Sequence, residues 1–174
     1  MTACLTRRTL LATLALAPLG GCIVTGNPPL PHTRVRMVRV DVAPLVAKGM
    51  PGYAARVAAL AEPALTRAFA GRLDRDDDSA PVVTVTIEEI HMAPTAGFGG
   101  GGEDGADGGS EMLDTVRGRL AVTATGRLPA LARPLRADRS ATDSGPWYAP
   151  DNEDRRLAAL ITDFAQWARR EFPE

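Results

Sequence analysis

Alternation of apolar and polar residues constrains how this chain can fold more than any other feature. The alternation has the two-residue period of β-strands in three segments: 34–42, 82–92 and 113–125. It slips by one residue at Met37-Val38, which either a β-bulge or burial of both strand faces would explain, and again at Glu88-Glu89. Residues 128–142 contain two prolines, and proline cannot donate a backbone hydrogen bond to a neighbouring strand. We therefore predict an irregular segment or an edge strand there.

Two segments have the three- and four-residue spacing of apolar side chains that is typical of amphipathic helices. The first runs from Tyr53 to Phe69 and contains Pro63, which should kink it. The second follows Asp151, which we predict to cap the helix together with Asp154. Its predicted apolar stripe is Leu157, Leu160, Ile161, Phe164, Trp167 and Ala168. Four arginines are predicted to lie off that stripe: Arg155, Arg156, Arg169 and Arg170.

The predicted order of elements is β-α-β-β-β-α. The middle strands follow one another as hairpins and should be antiparallel, and each helix has one apolar stripe that must cover a sheet face. The sequence therefore predicts an α+β fold: a two-layer sandwich with a mainly antiparallel four-stranded sheet and two helices on one face. We predict one domain over residues 33–174, with a flexible glycine-rich loop at residues 94–110.

The first 22 residues have the features of an export signal. Arg7 and Arg8 precede an apolar run that is shorter than the about 20 residues a membrane span needs. The run ends in Leu19-Gly20-Gly21-Cys22, which resembles the lipobox of bacterial lipoproteins. The resemblance implies that residues 1–21 are a signal peptide and that Cys22 receives diacylglycerol and begins the mature chain. Cleavage by the general signal peptidase, giving a soluble exported protein, is the alternative.

Residues 22–32 are predicted to be the lipidated cysteine and an extended tether, because glycine and proline are frequent there. Ten extended residues would hold the domain up to about 30 Å from the lipid. The lipobox resemblance implies an anchored protein that faces the periplasm. Ile23, where the enteric signal for inner-membrane retention has Asp, favours the outer membrane. The paired arginines also resemble a twin-arginine motif, which would export the domain already folded.

Residue types and spacing point away from catalysis. His32 and His91 lack the short spacing of a zinc pair, and the serines lack a nucleophile elbow. The glycine-rich loop lacks the lysine followed by serine or threonine that a nucleotide-binding P-loop requires. We therefore predict no metal, no cofactor and no enzyme activity. The mature chain would be slightly acidic, which argues against a nucleic-acid partner.

Three aromatic residues are the predicted partner contacts. Phe98 lies in the glycine-rich loop, and Trp147 and Tyr148 directly precede the last helix. Tryptophan and tyrosine dominate binding hot spots. The alternative for Trp147 and Tyr148 is that they pack over the edge of the sheet.

Several of these features together resemble the lipopolysaccharide-assembly lipoprotein that plugs its outer-membrane barrel. They are the lipobox, the proline-containing tether, the order of elements and the segment Ser144-Gly145-Pro146-Trp147-Tyr148-Ala149 before the last helix. The shape is also similar to the auxiliary lipoproteins of lipid-trafficking ABC transporters. The chain departs from the assembly lipoprotein at Ile23-Val24-Thr25, where that family has Gly-Phe-x-Pro.

The resemblance implies a non-catalytic envelope protein that binds the membrane through its N-terminal lipid. Its partner would be an envelope protein complex or a lipid. A ligand-binding or inhibitor module with an incidental anchor is the alternative.

Overall fold

A computed structural model describes residues 34–94, 112–123, 129–146 and 148–172. Its elements, in chain order, are β1 (Met37–Asp41), α1 (Ala43–Ala47), α2 (Pro51–Ala68), a 3-10 turn (Ala70–Arg72), β2 (Val82–His91), β3 (Leu113–Thr123), β4 (Pro129–Ser140) and α3 (Asn152–Arg170). Within the described residues the strands form one sheet in the order β1-β2-β3-β4. β1 is parallel to β2, and the other neighbours are antiparallel. The predicted α+β sandwich is confirmed.

Alternate residues of β2 and β3 build the sheet side of the core. They are at most 1% exposed: Val83, Val85, Ile87, Val116, Leu120 and Val122. Buried residues of α2 and α3 belong to the same apolar cluster. The two-residue period in the sequence therefore identified the inward face of both strands.

The interruption of the apolar–polar alternation at Glu88-Glu89 coincides with an irregularity in the pairing of β2 with β3. The register of β2 on β3 shifts between Ile87 and Glu89, as a β-bulge produces. Gly118 lies opposite Ile87, and a Cβ there would overlap the carbonyl oxygen of Thr86 and lie 3.0 Å from Cζ of Phe164. Glycine is therefore required chiefly by the close approach of the Thr86 carbonyl of β2, and it also leaves room for Phe164 of α3.

The slip at Met37-Val38 coincides with the start of β1. Val35, which is fully buried, forms an isolated parallel bridge with Leu73, whereas β1 pairs with β2 only from Met37 onward. Residues 34–42 therefore contain two short pairings in place of one uniform strand. The segment at 128–142 contains β4, which pairs with β3 alone, so the predicted edge strand is confirmed.

Four predictions about helices need correction, and one of them is the position of Arg156 off the apolar stripe, because Arg156 is buried. Residues 43–47 form α1, where the sequence indicated only a turn-rich connection; Leu45 is fully buried and fixes this short helix to the core. Asp151 occupies the position before α3 but makes no capping hydrogen bond, because its Oδ1 accepts one from Arg155 Nη1 at 2.5 Å. Trp167 is 44% exposed and is not part of the buried stripe. None of the helices described here is long and apolar enough to cross a bilayer.

The domain has two distinct ends. At the end where Arg34 leads into β1, Val35 exchanges backbone hydrogen bonds with Arg72 and Asp74, each 2.9 Å long. The last turn of the chain lies there too, since the rings of Phe69 and Phe172 meet edge to face at 5.9 Å. We call this the entry end.

The opposite end is where β2 stops and β3 starts, and residues 95–111 connect the two strands there. We call it the loop end. β2 has ten residues, and a strand rises about 3.3 Å per residue, so the two ends are about 30 Å apart.

Candidate functional site

A buried ion pair holds the loop end together. Asp114 is 0% exposed and Arg156 is 4% exposed. Arg156 Nε donates to Asp114 Oδ2 at 2.8 Å, and Nη2 contacts Asp114 Oδ1. Arg156 Nη2 also donates to the carbonyl oxygen of Ala93 at 2.7 Å, while the Ala93 N–H donates to Asp114 Oδ1 at 2.9 Å. The pair therefore joins the end of β2, the start of β3 and the first turns of α3.

The expectation that Arg156 lies off the buried stripe is wrong, since Arg156 is 4% exposed, and sequence periodicity therefore misses this pair. One signal was available. Asp114 precedes Val116 by two residues and Leu120 by six, so its side chain lies on the same inward face of β3. A carboxylate at such a position needs a buried cation or several hydrogen bonds to compensate for lost hydration.

A second arginine of α3 holds the segment that precedes the helix. Arg155 Nε donates to the carbonyl oxygen of Ser144 at 2.9 Å, and its Nη1 bonds to Asp151. The N–H of Ala141 donates to the carbonyl oxygen of Met112 at 2.9 Å. The structure thus brings the flanks of residues 95–111 and of the predicted aromatic segment to one end of the domain.

The first turns of α2 and α3 also meet near this end through charged side chains. Arg56 pairs with Glu153 at 3.8 Å and with Asp154. Burial, and secondarily the charge of Glu153, raises the pKa of the Tyr53 hydroxyl. Tyr53 is therefore neutral at physiological pH.

Several polar atoms at the loop end are buried without a hydrogen-bond partner among the described residues. They are Asn152 Oδ1, Ser144 Oγ and Arg155 Nη2. Asn152 is only 5% exposed. Buried polar atoms are normally hydrogen-bonded, so the hydrogen bonding of the loop end is incomplete among the described residues.

Of the residues predicted to contact a partner, the structure describes only Tyr148, which is 75% exposed. Phe98 and Trp147 lie outside the described residues, as do Leu19, Gly20, Gly21 and Cys22. No group of three or more potential metal-ligating side chains occurs among the residues that the structure describes.

Comparison with known proteins gives likeness in structure only. No protein-family model matches the chain, and no curated protein is similar enough to count as a relative. A minor lipoprotein from Acinetobacter baumannii is 16% identical, with a TM-score of 0.44 over 83% of this chain and 92% of that one. The PelC dodecamer from Paraburkholderia phytofirmans is 12% identical, with a TM-score of 0.40 over 86% of this chain and 96% of that one. At this level the comparisons do not assign the chain to a family.

Proposed function

We propose that this chain is a lipid-anchored envelope protein that faces the periplasm, with the outer membrane as its location. It holds its loop end toward a protein partner and catalyses no reaction. The observation that carries the proposal is the separation of the two ends. The segment that follows Cys22 joins the domain at one end, and the described flanks of the predicted contact segments lie at the other.

The distances fit an anchored domain. Residues 22–34 span at most about 40 Å when fully extended, so the entry end stays near the membrane. The loop end lies about 30 Å farther along the sheet. Anchoring confines the domain to a thin layer, which raises its effective concentration for membrane-bound partners without any new contact.

The chemistry of the loop end favours binding over catalysis. Asp114 and Arg156 satisfy each other and the backbone of Ala93, so neither is placed to exchange a proton with a substrate. Tyr148, which is 75% exposed at this end, offers an aromatic side chain to a docking protein. A binding surface is the role that these groups support.

Replacing Cys22 with serine should release the protein from the membrane. We expect the exported wild-type chain to begin at Cys22, to carry the mass of a diacylglycerol group and to sediment with membranes. The serine variant lacks the thiol that accepts the lipid, so it should appear in the soluble fraction or keep its signal segment. Mass spectrometry of the chain together with membrane fractionation measures both effects.

Cys4→Ser is the matched control. Cys4 is the only other cysteine of the chain, and it lies in the predicted signal peptide. This variant should leave mass and fractionation of the mature chain unchanged. An unmodified mature wild-type chain in the soluble fraction would contradict the anchor.

A further inference from the structure

A cleft at the entry end has walls suited to an amphiphilic anion. It encloses about 490 Å³, within the range of about 300–1,000 Å³ that is usual for small-molecule sites. Met37, Val38 and Leu73 form its apolar wall. Thr66 lies on the α2 side, and the charged lining comes from Arg36, Arg75 and Asp78.

The charges of this entry cleft favour an anion. Arg75 makes no ion pair with any described residue. Arg36 Nη1 lies 3.2 Å from Asp78 Oδ1, but the Asp78 side chain is 95% exposed, so water screens that pair. The charged side chains that line the cleft are two guanidinium groups and one carboxylate, and arginine matches phosphate oxygens well.

The free edge of β1 adds a backbone donor. The N–H of Arg36 donates to Pro81 O on the β2 side at 2.9 Å. Backbone groups of successive residues point to opposite edges of a strand, so the N–H of Met37, which lines the cleft, points to the free edge. An anion in the cleft would meet this N–H and the Arg75 guanidinium together.

We propose that the entry cleft binds an anionic glycerophospholipid of the membrane that holds the protein. The phosphate contacts Arg75 and the N–H of Met37, and the glycerol and the first methylenes of the acyl chains cover Met37, Val38 and Leu73. The choice of a membrane lipid rests on the proposed function. Arg36 follows Arg34 by two residues, so the cleft is at the end that the anchor keeps near lipid.

The test uses the full lipidated protein in a neutral detergent and isothermal titration. The probes are dihexanoyl phosphatidylglycerol, its phosphatidylcholine counterpart and glycerol 3-phosphate. We expect phosphatidylglycerol to bind most tightly, because only it combines a net negative charge with apolar chains. Arg75→Gln should weaken its binding about tenfold, since one charge-assisted hydrogen bond is lost.

Two further variants separate a binding role from a structural one. Asp78→Asn should strengthen phosphatidylglycerol binding severalfold, because it frees Arg36 and removes a repelling charge. Arg67→Gln, on the same helix as Thr66 but outside the cleft, should leave binding unchanged. Loss of folding could only weaken phosphatidylglycerol binding. It would therefore not explain weaker binding by Arg75→Gln together with stronger binding by Asp78→Asn.

Three results would overturn the proposal. They are equal binding of phosphatidylcholine, binding of glycerol 3-phosphate as tight as that of phosphatidylglycerol, and no effect of Arg75→Gln. The second would make the cleft a site for free anions. The mass of the same preparation shows whether Cys22 is acylated. The anchor proposal is therefore tested by the mass, and the cleft proposal is tested separately by lipid binding.

Discussion

Replacing Asp114 with alanine is expected to lower the free energy of unfolding by about 3–5 kcal/mol, because it leaves a buried arginine charge without its partner. Arg156 is 4% exposed and cannot turn to water without moving α3. The N–H of Ala93 loses its acceptor as well. Urea unfolding measures the loss, and hydrogen exchange should show faster exchange of the Ala93 amide.

An exposed ion pair between β2 and β3 provides the control. Arg117 and Glu89 are 3.7 Å apart and more than half exposed, so Arg117→Gln should cost less than about 1 kcal/mol. The double variant Asp114→Leu/Arg156→Leu should recover part of the loss, because two apolar residues bury no charge. Equal effects of Asp114→Ala and Arg117→Gln would show that the buried pair does not hold the loop end.

Phe164→Ala should destabilise the domain by about 3–5 kcal/mol, because it leaves a cavity at the centre of the core. Phe164 is 1% exposed and lies against Gly118 on the sheet. Trp167 is the matched control, since the periodicity of the sequence places both aromatics on one stripe. The structure leaves Trp167 44% exposed, with Arg170 over its ring at 5.1 Å.

Trp167→Ala should therefore cost less than about 2 kcal/mol, from partial burial and the lost cation–π contact. Urea unfolding of the two variants gives the comparison. A larger loss from Trp167→Ala than from Phe164→Ala would mean that the stripe predicted from sequence is correct and that α3 is rotated relative to its position here.

Periodicity was sufficient for the fold class and for most of the core. In β2, the two-residue period assigns Val83, Val85 and Ile87 to one face, and all three are fully buried. In α2, the helical spacing finds Val57, Ala61 and Leu65, which are buried. These assignments succeed because burial on one side of a regular element leaves a pattern in the sequence itself.

Periodicity failed where burial depends on a neighbouring element. Arg156 and Trp167 are eleven residues apart, which is about three helical turns, so they lie on nearly the same face of α3. Asp114 and the loop flanks cover that face at the loop end, whereas at the entry end Trp167 remains partly open. No local pattern distinguishes the two positions, because the partner of Arg156 is 42 residues away in the chain.

The short helix α1 escaped prediction for a related reason. Five residues are too few for a helix to be stable alone, so its stability comes from the burial of Leu45 against the core. For the candidate site, the sequence identified the two segments whose described flanks meet at the loop end. It did not identify the pair that joins them.

Site-specific photo-cross-linking in intact cells tests the central claim, that the two ends of the domain face different surroundings. One photoreactive residue replaces Tyr148 at the loop end, and another replaces Arg67 near the entry end. The account predicts discrete protein adducts from position 148 that disappear in the Cys22→Ser variant, and phospholipid adducts from position 67. Phospholipid adducts from position 148, or the same adducts from both positions, would contradict it.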